Sequence, residues 1–231
     1  MRSDDQVVQV KVIFEDNHLL VIEKPVNVPM QADSSKDEDL LTMAKAYIKK
    51  KYDKPGEVYL GLVHRLDRPV GGVCVFARTS KAAARLSKQI ADHEFQKTYL
   101  AVVQDHGLSE HGHFEDLLYK DPKTNMVKVD PRGKKASLDY IVLKRKDDLA
   151  LVEVDLHTGR SHQIRVQFSS RNHPLWGDQR YNKKAIKGQQ IALWSHRICF
   201  KHPISKEELT FTSEIDRYPF NIYLFDLYAI H

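Results

Sequence analysis

The sequence predicts an α+β protein built on a mixed, mainly antiparallel sheet with a few flanking helices. Three observations lead there. Short β-branched runs such as VVQVKVIF (7–14) and LALVEVDL (149–156) recur along the chain, strand-like segments outnumber helical ones, and most are joined by short turns rather than by the helical crossover of a βαβ unit. No internal repeat, low-complexity stretch or Gly/Ser linker divides the chain, so residues 1–231 are expected to form one domain.

The elements follow in order. Strands are expected at 7–14 and 19–23, joined by a turn at Asp16-Asn17, and then a loop punctuated by Pro25, Asn27 and Pro29. Leu41, Ala44 and Ile48 fall at helical spacing in 38–50, with acids in front and Lys49–Lys51 behind, a polarity that suits the helix dipole. After GLVHRLDRPVGG come a strand, VCVFA, and a helix from Thr79 or Ser80 to about Asp92. QKTYLAVVQ (96–104) reads as a strand with Tyr99, Ala101 and Val103 on one side. Residues 105–135 look loop-rich and polar, with a β-excursion around DPKTNMVKVDPRGKK (121–135). Strands at 136–143 and 149–156 form a hairpin whose buried face carries Ala150, Val152, Val154 and Leu156. His157-Thr158-Gly159 turns the chain into a helix near 160–171. IALWSHRICF and ELTFTS supply further strands, and FNIYLFDLY a docked terminal segment.

Composition narrows the function classes. The chain has 231 residues, 42% hydrophobic and 29% charged, with 36 Lys+Arg against 31 Asp+Glu for a net charge of +5. That is ordinary for a globular protein and only a mild invitation to nucleic acid. The two cysteines lie in apolar runs and read as reduced core thiols of a cytosolic protein. Apolar runs of about five residues fall far short of the ~18–20 of a membrane span, and MRSDDQVVQV has acids where a signal peptide is apolar. No GxxxxGK[ST] or GxGxxG loop, CxxC pair or GxSxG elbow occurs. The only HE pair, His93-Glu94, has Lys97 where a zinc helix needs its second histidine.

Three clusters remain. HRLDRPVGG (64–72) sets a carboxylate, Asp67, between Arg65 and Arg68 in a loop ending in paired glycines. HTGRSHQIRVQ (157–167) places His162 and Arg165 at i, i+3 just past a strand end, where side chains project into a cleft. Lys97-Thr98-Tyr99 opens a strand with an aromatic. Taken singly, each of the first two also fits a salt-bridged surface turn or helix. The stripe Lys81, Arg85, Lys88 on one helix face, with Lys134-Lys135 and Lys183-Lys184, suits either phosphate contacts or a solvated face.

Together HRLDRPVGG, KTYLAVV, TGRSHQIRVQ, HPLWGDQRY and ALWSHRICFKHP, with the opening LLVIEKPVNVPMQ, resemble the RluA family of RNA pseudouridine synthases in order, spacing and wording, from about residue 11 to 213. The resemblance implies a pseudouridine synthase fold, a long bent mainly antiparallel sheet crossed by a cleft. It implies an isomerase acting on uridine in structured rRNA or tRNA, without cofactor or metal, as a cytoplasmic monomer. By the same resemblance Asp67 is the nucleophile, Arg65 the side chain pushed into the RNA beside the flipped uridine, Tyr99 the residue stacked on the target base, and Arg165 the partner of Asp67. The expected substrate contacts further include His64, His162, Lys81, Arg85 and Lys88. These roles suit the chemistry, because the C1′–N1 bond must break and the uracil must leave the helix and be held while it turns.

The sequence departs from the family in places. Val70-Gly71-Gly72 replaces the commoner hydroxyl pair and glycine. Asn27 and Asn182 stand where glycine is usual, and asparagine is the residue that next best tolerates positive φ. A preceding S4 RNA-binding domain is not expected, since the first strand starts within about ten residues of Met1. Two other readings use the same residues: an RNA-binding or chaperone module on this scaffold without catalysis, and an unrelated acid/base hydrolase in which His64 and His162 converge on one phosphate beside Asp67.

Overall fold

The computed structural model describes residues 10–223. Of the first predicted strand, residues 7–9 lie outside the described residues, as do 224–228 of the terminal segment. The rest is an α+β fold: β1 (Lys11–Glu15), β2 (Leu19–Lys24), α1 (Leu40–Lys51), β3 (Gly61–Leu62), β4 (Gly71–Ala77), α2 (Ser80–Ala91), β5 (Gln96–Gln104), β6 (His111–Lys120), β7 (Val127–Val129), β8 (Lys134–Lys146), β9 (Leu149–Leu156), α3 (Gln163–Ser169), β10 (Leu193–Lys201) and β11 (Glu208–Thr212). The strands form one 11-stranded sheet in the order β1-β2-β4-β10-β5-β9-β8-β6-β7, with β3 beside β4 and β11 beside β10. Every pairing is antiparallel except β4 with β10, where Gly71 and Gly72 oppose Trp194 and Ser195.

That parallel pair explains the paired glycines. Gly72 has φ +115, and a Cβ there would overlap the Ser195 backbone; at Gly71 it would overlap the Trp194 ring. Two strands can approach this closely only where neither residue carries a side chain.

The sheet buries both faces, and the period-2 alternation of β4 sorts its residues between them. Cys74 and Phe76 join the main core with Tyr99, Ala101, Val103, Ala150, Val152 and Val154, covered by Leu40, Ala44 and Ile48 of α1 and by Ile164 and Phe168 of α3. Val73, Val75 and Ala77 face the other way, onto Ala82 and Leu86 of α2. Helices α1 and α3 therefore lie on one face and α2 on the opposite one. Asp39 caps α1 by accepting from the Thr42 amide at 3.0 Å, and Thr79 caps α2 by accepting from Ala82 at 3.1 Å.

The structure corrects three expectations. Residues 105–135 hold β7, inside the expected β-excursion, and also an unexpected strand, β6; β6 buries only Phe114 and Leu118 and turns His111, His113 and Glu115 to solvent, so its apolar alternation is too sparse to read. The helix expected near 160–171 is confined to Gln163–Ser169, because Thr158–Ser161 are spent on the turn before it. Cys74 is buried, but Cys199 is only half-buried; both are free thiols. No helix among the described residues is long and apolar enough to cross a membrane.

Candidate active site

The site is assembled from two loops leaving the sheet on the same face. The first is the β3–β4 loop, 63–70. Its shape is fixed by Lys24, fully buried at the end of β2, whose ammonium donates to the carbonyls of Pro25, Arg68 and Val70 at 3.0, 2.9 and 2.7 Å. Burial pulls this ammonium down to about 8, against the charge of Asp67. Val70 is buried where a hydroxyl residue is commoner, and its amide donates to the Asp67 carbonyl at 2.9 Å, closing the turn that presents the carboxylate.

The second loop leads into α3. Thr158 and Arg160 are braced by the buried amide of Gln163, whose oxygen accepts from the Thr158 hydroxyl at 2.7 Å and the Arg160 amide at 3.1 Å. His162 then takes the left-handed conformation, φ 52, and α3 begins with Arg165 pointing inward. Strain of this kind at a non-glycine residue is typical of functional loops.

The two loops meet over a pocket of about 420 Å³ walled by Leu66, Val70, Tyr99, Ile164 and Leu193 and lined by Arg65, Asp67, Arg160, His162 and Arg165. Arg165 donates one guanidinium N–H to Asp67 at 3.3 Å. Its stronger partner is Asp178, which accepts from Nε at 2.8 Å and from Nη2 at 2.7 Å in a bidentate pair with no exposure of the carboxylate. Burial opposes the Arg165 charge, and the Asp178 bonds more than offset it, so its pKa is raised. Asp178 is itself held by the backbone amides of Arg180 and Tyr181.

His162 completes the ring of groups around Asp67. The Tyr181 hydroxyl accepts from the Val127 amide at 3.0 Å and shares a 2.8 Å hydrogen bond with His162 Nδ1, which leaves His162 Nε2 facing Asp67 from 4.0 Å away. Burial lowers the His162 pKa, opposed by the Asp67 charge and aided by those of Arg165 and Arg180. Burial also pushes the Tyr99 phenol up, with the Asp67 charge adding to it and the Ser195 hydroxyl opposing.

The predicted residues divide accordingly. Asp67, Tyr99, Arg165, Arg65 and His162 line one pocket. Arg65 is exposed at its mouth and makes no hydrogen bond or ion pair among the described residues. His64 does not reach it: Nε2 accepts from the Val75 amide at 3.1 Å, Nδ1 is buried without a partner, and burial followed by the Lys97 charge pushes its pKa down to about 3. It fastens the loop as a neutral ring and does not converge with His162 on one site. Lys81, Arg85 and Lys88 are not brought to the pocket either, because α2 covers the other sheet face; Arg85 donates to the Pro203 carbonyl and Lys88 pairs with Asp92. The cations at the pocket mouth are instead Arg65, Arg68, Lys120 and Arg160. Asn27 has φ 63, as expected for a glycine-like position, whereas Asn182 is not in positive φ and uses its amide to hold the Leu175 carbonyl.

Sequence reasoning missed Asp178 and Lys24, although they lie in the motifs HPLWGDQRY and LLVIEKPVNVPMQ. Among the described residues, one trio brings metal-ligating atoms within 4.8 Å, His113, Asp139 and His157; all three are exposed and none lines the pocket.

Comparison with known proteins converges on one family. The family model described as RNA pseudouridylate synthase matches residues 18–170. The ribosomal large subunit pseudouridine synthase D of Zymomonas mobilis is 34% identical over 92% of this chain and 71% of its own length. The synthase C of Vibrio cholerae is 29% identical over 86% of this chain and 63% of its own. Among solved structures, human RNA pseudouridylate synthase domain containing 4 superposes with a TM-score of 0.78 at 20% identity, covering 93% of this chain and 92% of its own, a likeness of fold.

Proposed function

The chain belongs to the RluA family of RNA pseudouridine synthases, isomerases that convert uridine in RNA to pseudouridine, and from that premise we propose which residues do the chemistry and on which RNA. The reaction breaks N1–C1′, turns the uracil and forms C5–C1′. The C5 proton leaves and N1 gains one, so product and substrate are isomers and no redox step or external group is needed.

Asp67 is the nucleophile that engages the nucleotide as the C1′–N1 bond is cleaved. The observation that carries this reading is its placement: a half-exposed carboxylate at the mouth of an apolar pocket, 3.3 Å from a guanidinium that is fixed from behind by a second, buried carboxylate. Arg165 orients Asp67, and Asp178 orients Arg165. Tyr99 supplies the wall on which the detached uracil is held, and its hydroxyl stays protonated until the C5 proton has to move. Arg65, unpaired at the mouth, is placed to enter the gap left by the flipped base. His162 sets its Nε2 toward Asp67 and helps to hold the carboxylate.

The relatives' names favour ribosomal RNA of the large subunit over transfer RNA as substrate. We read residues 1–231 as one catalytic domain working as a monomer, without cofactor or metal, in the cytoplasm; the two unpaired thiols are in keeping with a reducing compartment. The reading as an inactive binding module is not favoured, since Asp67, Tyr99 and Arg165 meet in one pocket. Nucleotide-resolution mapping of pseudouridine in total RNA from cells with and without this protein tests the assignment. Loss of a pseudouridine in large-subunit rRNA is expected; loss confined to tRNA would overturn the choice of substrate, and no loss in any RNA would overturn the enzyme reading.

A further inference from the structure

Beyond the uridine pocket the cleft continues in two directions, both with arginines and one of them rich in side-chain amides. One arm, toward β6–β8, is lined by the cations Lys120, Arg132, Lys134 and Arg160, with Arg132 lying 4.4 Å over the Tyr119 ring. The other shares Asp67, His162 and Arg165 with the uridine pocket and is lined by four amides, Asn27, Gln179, Gln189 and Gln190, together with the guanidinium groups of Arg68 and Arg180.

The hydrogen bonds of those amides fix which atoms remain. Gln190 donates to the Pro69 carbonyl at 2.6 Å and accepts from Asn27 at 2.8 Å, which ties it to the loop carrying Asp67. Gln179 donates to the Ile186 carbonyl at 2.6 Å, leaving its oxygen free. Gln189 accepts from the Ile186 amide at 2.8 Å, leaving its NH2 free. Asn27 retains its oxygen. Backbone partners of known polarity set the two Ile186 bonds, so the amide orientations are not interchangeable. The side-chain oxygens of Gln179 and Asn27 and the NH2 of Gln189 are thus without an intraprotein partner, each on an amide held in place by its other end. Side-chain amides, like a bidentate arginine, match the donor and acceptor pattern of base edges, whereas lysine acts on phosphate as a point charge.

We propose that the amide-lined arm is a subsite for the nucleobase next to the target uridine in the RNA strand, and that it reads that base by its hydrogen-bonding edge. The inference rests on the isomerase reading and adds where sequence discrimination resides. Because the arm and the uridine pocket share three residues, a base seated in it is the chain neighbour of the flipped one. The cationic arm carries the phosphates on the other side and contributes affinity alone.

The test treats total RNA from cells lacking this protein with purified wild type, Gln179→Ala/Gln189→Ala and Gln189→Glu, then maps pseudouridine at nucleotide resolution. Gln189→Glu keeps the acceptor for the Ile186 amide and replaces the free donor by an acceptor. With wild type, one position flanking the modified uridine is expected to show a base preference. The double alanine variant should weaken it roughly tenfold, the ratio equivalent to about 1.4 kcal/mol, and Gln189→Glu should shift it to a different base. Lys134→Ala, in the other arm, should lower modification at all sites in proportion. An unchanged preference in both amide variants, or a proportional loss like that of Lys134→Ala, overturns the subsite while leaving the isomerase reading intact. No modified uridine with wild type overturns the isomerase reading and the subsite with it.

Discussion

Replacing Asp178 by asparagine probes the ion-pair relay behind the nucleophile while changing almost no volume. In the wild type Asp178 accepts two N–H bonds from Arg165 at 2.8 and 2.7 Å, and Arg165 and Asp178 side chains are 6% and 0% exposed. The asparagine of Asp178→Asn can keep one oxygen toward the Arg180 amide, but its NH2 then faces the Arg165 guanidinium, donor against donor. Breaking a buried pair by removing one charge costs about 3–5 kcal/mol. Asp67, 3.3 Å from Arg165, compensates part of that charge, so about 3 kcal/mol of lost stability is expected. The freed guanidinium turns toward its remaining carboxylate, and a displacement of about 1 Å at the reacting group costs on the order of 10²-fold in turnover. Urea denaturation measures the first effect, and tritium release from RNA containing 5-tritiated uridine the second, at a temperature where the variant is folded. RNA affinity should stay within a few-fold, because Asp178 is inaccessible. A folded variant with turnover within two-fold of wild type would refute the relay.

Tyr99→Phe keeps the ring and should retain RNA binding, so its loss of tritium release measures the hydroxyl, whereas Tyr99→Leu should also weaken binding by about 1–3 kcal/mol; equal turnover in wild type and Phe would remove the hydroxyl from the reaction. His64 stays neutral in the fold down to about pH 3 but takes up a proton near 6.5 when unfolded, so the unfolded state binds the extra proton between those values and stability falls as pH drops below 6.5. Urea titrations should show wild type losing about 1.4 kcal/mol per pH unit there, and His64→Gln, which cannot be protonated, a slope shallower by that amount; parallel slopes would contradict the neutral assignment. Neutralising Lys81 and Lys88 should leave the salt dependence of RNA binding unchanged, while neutralising Lys120, Lys134 and Arg160 should reduce its slope by roughly 0.7–0.9 for each phosphate they no longer neutralise. The reverse pattern would return the α2 stripe to the RNA.

The difference between what could and could not be read in the sequence has a physical basis. Asp67, Tyr99 and Arg165 each stand beside a local signal, a Pro-Gly-Gly turn, a strand start or a Gly turn into a helix, and the resemblance joins them into one pocket. The strands of the central sheet were legible because their alternating faces are both buried. The Lys81–Arg85–Lys88 stripe misleads because helical periodicity reveals which side of α2 is apolar but not which face of the sheet that side covers. Strand β6 hides because His111, His113 and Glu115 face water. Asp178 lies in a turn after α3 without regular structure, and its buried partner is fixed by tertiary packing across 13 residues, which no local pattern encodes. Lys24 likewise looks like an ordinary strand-end lysine until the carbonyls of residues 25, 68 and 70 close around it.

The central claim is that Asp67 attacks the nucleotide in a pocket whose affinity for RNA is carried by other groups. Single-turnover tritium release by Asp67→Ala, measured alongside its RNA affinity by filter binding, tests it most directly. Release should be abolished while affinity stays within a few-fold of wild type, since the cations at the cleft mouth are untouched. Release at a rate near wild type, from a variant that still binds, would contradict the account.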